Sequence, residues 1–130
     1  MEVKLIEVAN ILPHEEVDQA HVTMLEKKIV LDKIWTTPVV IDRNTQVLMD
    51  GHHRFEVAKR LRLAKLPCVV MCYERDEIQI SCRTSGDSLC YHTVIAAAKS
   101  ANKFPIKTTR HIFKHSLPVG AFPLSSLYEY

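Results

Sequence analysis

The stretch from Pro38 to Leu63 constrains this chain more than any other. Pro38-Val39-Val40-Ile41 and Gln46-Val47-Leu48-Met49 are short apolar runs. Asp42-Arg43-Asn44-Thr45 between them is turn chemistry, so the pair predicts a hairpin. Asp50-Gly51-His52-His53-Arg54 follows with no spacer, and Phe55, Ala58 and Leu61 then recur at helical spacing, predicting a helix to about Leu63. The chain must therefore pass from strand to helix within two residues. Gly51 suits that turn because it tolerates positive φ and close backbone approach.

The remaining elements arrange themselves around this unit. Val3 to Val8 alternates apolar and charged residues, as a half-buried strand does. Ile11 to Glu16 reads as a loop, with Pro13 disfavouring helix at Leu12. Asp18 is a candidate N-cap for a helix whose stripe is Val22, Leu25 and Ile29, broadened by Val30 and Leu31 near its end. Pro67 to Tyr73 is an apolar run expected to form a buried strand, and Ile78 to Cys82 a further one. Leu89 to Lys99 predicts a third helix capped by Asp87 or Ser88. Ile112-Phe113 suggests a short strand and Leu124 to Tyr128 a short terminal helix. The expectation is a single α/β (α+β) domain over residues 1–130, a mixed sheet with hairpins and with helices packed on one side.

Composition excludes several classes. Lys and Arg number 17 against 15 Asp and Glu, a net charge of +2, which argues against a strongly basic nucleic-acid module. At 47% hydrophobic residues the chain is too apolar to be disordered, and it carries no run of about 20 apolar residues to span a membrane. The N-terminus lacks signal-peptide architecture, because acids interrupt its apolar residues. Cys68 and Cys72, four apart on one strand, lie roughly 13 Å from each other, too far to bridge. With no C-x-x-C pair, reduced cysteines packed as small hydrophobes in a cytoplasmic protein are the expectation.

The turn at Asp50 carries the chemistry. A helix start presents free N–H groups and positive dipole, and His52, His53 and Arg54 add donors there, so an anion, most naturally phosphate, is the expected ligand. Asp50 is open to three uses: helix cap, metal ligand, or both. The basic run Lys59, Arg60, Arg62 and Lys65 reads as a solvated face. A second polar cluster, Lys107-Thr108-Thr109-Arg110-His111, sits in a Pro-punctuated segment read as a loop. Its Arg suits a bidentate hold on a carboxylate or phosphate, and Lys107 could assist with phosphate. His14, His21, His92 and His115 have no assignable partners. Trp35, the only Trp, either packs in the core or walls a pocket.

The segment from Pro38 through D-G-H-H-R and on to Leu61 resembles the core of the ParB/sulfiredoxin-like superfamily. Sulfiredoxins carry a catalytic cysteine where this chain has His52. The chromosome-partition branch adds a second motif box and a helix-turn-helix domain that are not visible here. The chain is most similar to the free L-serine kinases, which share D-G-H-H-R and an upstream His-Glu, here His14-Glu15. That resemblance implies Glu15 as the base that takes the serine hydroxyl proton, with Glu16 as the fallback. Asp50 would act in catalysis and hold Mg²⁺, while Gly51, His52, His53, Arg54 and Lys107 would cradle phosphate. Arg110 would grip the serine carboxylate beside Thr108, Thr109, His111 and Trp35. The product would be O-phospho-L-serine, in cysteine or serine metabolism.

Nucleotide-using members of this branch are longer, and the chain lacks a P-loop or Gly-rich fingerprint. Pyrophosphate is therefore the expected donor, with ADP or ATP second. The competing expectation is a ParB-like nucleotide- or DNA-binding regulator without kinase activity. A nuclease is a third expectation, weakened because the chain lacks a clustered set of carboxylates for two metals.

Overall fold

A computed structural model of the chain describes residues 3–76, 78–100 and 102–129. Its main sheet has the order β1-β5-β3-β4, built from β1 (Val3–Glu7), β3 (Val39–Asp42), β4 (Leu48–Asp50) and β5 (Lys65–Met71). β1 and β4 are antiparallel to their neighbours, whereas β3 and β5 run parallel. A parallel pair needs a crossover. Here it is β4 followed by α2 (His52–Arg60), so the strand–D-G-H-H-R–helix unit is the connection that makes the sheet mixed.

Strand periodicity sorts the core into two layers. Val39, Ile41, Leu66 and Cys68 face a cluster containing Val22, Trp35, Phe55, Val57 and Ala58. Val40 and Val69 face the other way, toward Val47, Met49, Tyr73, Ile80 and Val94. The first layer is covered by α1 (Gln19–Asp32) and α2. The second is covered by the antiparallel pair of β6 (Ile78–Cys82) and β7 (Thr109–Phe113), together with α3 (Tyr91–Lys99), which lies between them in the chain. Helices thus lie on both faces, not one. The strands of the parallel pair are apolar at consecutive positions, which is the pattern of a sheet buried on both sides. A small ladder of β2 (Ile34–Trp35) and β8 (Phe122–Pro123) closes one end.

Local physics accounts for the other departures from expectation. Asp18 caps α1 by accepting from Ala20 N–H at 3.0 Å. Val22 is buried, but Leu31 is 81% exposed. Nine residues at 100° each place Leu31 on the opposite side of the helix from Val22, and Val30 lies off the stripe as well. α2 stops at Arg60 because Arg62 adopts φ +56°, and Leu63 N–H and Arg62 N–H return to the carbonyls of Ala58 and Lys59. That is a Schellman ending made by Arg rather than Gly, so no sequence signal marks it. α3 starts after Cys90, not at Leu89, because Leu89 N–H is held by the Ile80 carbonyl at 2.8 Å, and neither Asp87 nor Ser88 caps it. The C-terminal helix expected over Leu124 to Tyr128 is a 3₁₀ turn over Leu124–Leu127. All four cysteines are free, and burial pushes the Cys68 thiol up to about 12.

The segment read as a loop, Ile11 to Glu16, is in fact stitched into the structure. Leu12 pairs with β4 through Leu48 N–H, which donates to the Leu12 carbonyl at 2.8 Å. On its other side, Phe104 N–H donates to the His14 carbonyl at 2.9 Å, and Glu16 N–H to the Phe104 carbonyl at 2.8 Å. His14 and Glu15 are therefore carried by a rigid extended segment beside the start of α2. Leu66 is fully buried at the centre of the first layer. Leu66→Ala should lower unfolding free energy by about 2–5 kcal/mol, measured by chemical denaturation.

Candidate active site

Gly51 is the N-cap of α2 at φ +102°, and no side chain caps the helix. A Cβ there would lie 2.6 Å from Val39 Cγ1 and 3.0 Å from Arg54 Nη2, so only glycine fits. Asp50 is therefore not the cap. Its carboxylate stays half exposed, with Oδ2 3.8 Å from Arg54 Nη2. The free first-turn N–H groups open onto a cleft of about 280 Å³, the one the anion-binding reading requires. Arg54 projects into its wall with Nε buried and unpartnered, and burial pulls its pKa down against the influence of Asp50. An unsatisfied guanidinium N–H beside a helix start is a donor awaiting an acceptor.

Glu15 lies across the cleft. Its Oε1 accepts from Thr109 N–H at 2.9 Å, and burial raises its pKa, opposed by the N–H groups of Thr109 and Thr108 and by Arg83. Glu16 is exposed and outside this cleft, which favours Glu15 of the two acids.

Three imidazoles form the floor. His52 is buried, and its Nε2 accepts the His14 backbone N–H at 3.2 Å. That bond fixes the neutral tautomer with the proton on Nδ1, which faces Glu15 Oε2 at 3.9 Å. His14 is fully buried with Nε2 3.0 Å from Thr109 Oγ1, and burial pushes its pKa down to about 4. His111 Nε2 lies 2.8 Å from the Tyr73 hydroxyl, and burial pushes it down to about 3. Burial, with His14 and His111 nearby, also holds His52 well below its usual range. The floor is neutral, so the positive charge of the cleft comes from Arg54, Arg83 and Lys107.

Donor atoms of His14, Glu15 and His52 lie within 4.8 Å of one another, as a metal site would require. The chemistry does not fit one. His52 Nδ1 carries a proton toward Glu15, so it offers a donor where a metal needs a lone pair. Two imidazoles also suit Mg²⁺ poorly, since that ion prefers oxygen ligands. Asp50, by contrast, offers an accessible carboxylate with oxygen donors of the kind Mg²⁺ prefers, beside the uncapped start of α2.

The other expected site residues divide. Gly51, His53, Lys107, Thr109 and His111 line the cleft. His53 accepts the Asp18 N–H at 3.1 Å and stacks near His21, with ring centroids 4.5 Å apart. Arg110 does not reach the cleft. The segment is strand β7 rather than a loop, so Thr109 and His111 point inward while Arg110, one residue out of phase, is exposed on the other face. Thr108 uses its hydroxyl on the Pro105 carbonyl at 2.7 Å and is not among the lining residues. Trp35 is buried in the first core layer, donating to the Thr37 carbonyl at 2.8 Å, so packing is its role. Arg83 lines the cleft without having been singled out from the sequence. Its context, Arg83-Thr84-Ser85-Gly86-Asp87, reads only as a turn, and the pairing of β6 with β7 alone brings it to the site.

No family model matches the chain. A ParB-like protein of Sulfolobus acidocaldarius is 33% identical over 43 residues, which are 33% of this chain and 22% of that protein. An ATP-dependent L-serine kinase of Desulfurococcus mucosus is 30% identical over 80 residues, 58% of this chain and 31% of that enzyme. The match thus spans less than a third of either relative. Among solved structures, a free serine kinase with one glutamate-to-alanine substitution, bound to AMP, superposes with a TM-score of 0.85. It is 12% identical and matched over 96% of this chain and 93% of its own. The same variant bound to ADP gives a TM-score of 0.83 at 12% identity, over 98% of this chain and 94% of its own. The chain shares the fold of these solved free serine kinases. Among the described residues no helix is long and apolar enough to cross a membrane.

The neutral floor has a consequence for stability. His14 and His111 titrate near the ordinary value of 6.5 when unfolded but near 4 and 3 when folded. Below pH 6.5 the unfolded chain binds protons that the folded one refuses, so stability is lost as pH falls from about 6.5 toward 4. Melting temperatures taken across that window should fall, and His111→Gln should flatten the slope. Gly51→Ala, which forces a Cβ against Val39, should lower the melting temperature and weaken phosphate binding together.

Proposed function

We propose that this chain is a free L-serine kinase, transferring a phosphoryl group from a phosphoanhydride to the L-serine hydroxyl to give O-phospho-L-serine. The observation that carries this reading is the placement of Glu15 opposite the uncapped start of α2. A half-buried carboxylate of raised pKa faces a cradle of helix N–H groups and Arg54 across one cleft. Phosphoryl transfer to an alcohol needs those two parts: donors around the phosphate oxygens and a group that accepts the hydroxyl proton.

In this mechanism the first turn of α2, Arg54 and Lys107 bind and orient the donor phosphates. His53 adds a donor at the same end. Glu15 takes the serine proton, and Thr109 N–H keeps its carboxylate aimed. The N–H groups of Thr109 and Thr108 and the charge of Arg83 favour the ionised form of Glu15 against the effect of burial, and His52 Nδ1 stands 3.9 Å behind it. Asp50 would hold Mg²⁺ together with phosphate oxygens, as that ion commonly binds. Bound there, the ion supplies neutralisation of the charge on the transferring group.

Pyrophosphate is the donor that suits a small, polar cleft whose apolar lining is confined to Leu25 and Met49. A nucleotide is the second reading, favoured by the AMP and ADP held by the solved free serine kinases and by the ATP-dependent name of the curated relatives. The similarity to a ParB-like protein supports the alternative class, a ParB-like nucleotide- or DNA-binding regulator without kinase activity.

Phosphorus NMR of protein with L-serine, Mg²⁺ and pyrophosphate, ADP or ATP in turn separates these. O-phosphoserine is expected, and its absence with every donor sinks the kinase reading. Glu15→Gln should cut kcat by about 10²–10⁴-fold with donor affinity little changed. Because burial raises the Glu15 pKa above the ordinary 4.5, kcat/KM should fall on the acid side at a pH above that value. The carboxylate acts as base only when deprotonated, so activity rises with pH through that midpoint.

A further inference from the structure

With Arg110 on the far face of β7, the serine carboxylate lacks the partner expected for it, and Arg83 stands at the cleft instead. Two bonds hold it. Its backbone N–H donates to the Thr108 carbonyl at 2.8 Å, and its side-chain Nε donates to the Thr109 carbonyl at 2.9 Å. Among the described residues the guanidinium is tethered through Nε, which leaves its two terminal NH₂ groups for a ligand. That end-on pair matches a carboxylate bidentately.

Thr109 ties this arginine to the base. The residue is buried, and each of its polar groups is committed: N–H to Glu15 Oε1 at 2.9 Å, carbonyl to Arg83 Nε at 2.9 Å, and hydroxyl to His14 Nε2 at 3.0 Å. The N–H and C=O of one strand residue leave on the same edge. Glu15 and Arg83 therefore converge on one side of β7, separated by the span of a single residue. L-serine has the same compactness, with its hydroxyl and carboxylate joined through only Cβ and Cα.

We propose that Arg83 is the carboxylate anchor for the acceptor, and that the Glu15–Thr109–Arg83 unit sets specificity for a small α-amino acid bearing a β-hydroxyl. The inference rests on the serine-kinase reading. It assigns the acceptor side of the cleft to β6–β7 and the donor side to α2. Removing the acceptor's carboxylate then mimics removing the arginine.

The test compares L-serine with L-serinamide, which keeps the hydroxyl and ammonium but lacks the carboxylate charge. The unsubstituted protein should prefer L-serine by about 10- to 100-fold in kcat/KM, the worth of one charged hydrogen-bonded contact. Arg83→Ala should raise KM for L-serine by a similar factor, leave the KM of the donor near its original value, and bring the two acceptors level. Arg83→Lys should recover part of the preference. A merely structural role would slow both acceptors alike and preserve their ratio, which would overturn the proposal. So would a loss of preference in Arg110→Ala but not in Arg83→Ala. Calorimetric titration with L-serine reads the same contact without turnover. Binding that is weakened by Arg83→Ala supports the anchor even if no donor reacts. No binding to the unsubstituted protein overturns both the anchor and the kinase reading.

Discussion

The contact between Gly51 and Val39 decides where the site can be. β3 and β5 run parallel, so the chain must leave β4 and return across the sheet as α2. The helix begins directly against β3, at a distance that leaves no space for a Cβ. That approach aims the open end of the helix at one edge of the sheet and buries Phe55, Val57 and Ala58 against the strands. Everything chemical follows from which other segments reach the same edge. The Leu12–Glu15 segment arrives along β4, and β7, paired with β6, arrives on the opposite face.

Burial keeps the imidazoles of the site neutral. The deepest polar groups, His14, His52 and His111, are all driven toward the neutral form, chiefly by desolvation. Neutral imidazoles can orient and hydrogen-bond without competing for an anion or quenching the base. The charges are on Arg54, Arg83, Lys107, Asp50 and Glu15, of which Arg54 and Glu15 are themselves shifted by burial. The backbone bond from His14 to His52 Nε2 is central, because it determines which imidazole nitrogen carries a proton toward Glu15. One main-chain N–H thereby turns the protonated nitrogen of His52 toward Glu15 and disqualifies the same trio as a metal site.

Much of this was legible residue by residue. The hairpin, the turn glycine, the Asp18 cap and the two-faced apolar strand each have a local cause, and each is present. Readings failed where a distant segment supplied the hydrogen bonds. Leu89 would begin a helix if Ile80 did not hold its N–H, and Ile11 to Glu16 would be a loop without β4 and Phe104 on either side. The T-T-R-H segment is the sharpest case. Read as a loop, all four side chains can face one pocket. As a strand paired with β6, alternate side chains must diverge, so Thr109 and His111 enter while Arg110 leaves.

The sequence by itself determined the strand–glycine–helix turn, because a two-residue handover with donors behind it admits few backbone solutions. It also determined which residue types would serve an anion there. Tertiary structure alone decided which cation would face Glu15. Arg83 and Arg110 are chemically equivalent in the sequence, and no local rule prefers one. The choice belongs to the register of β6 on β7, which pairs Cys82 with Thr109 and so lays Arg83 along the Thr109 carbonyl while turning Arg110 to solvent.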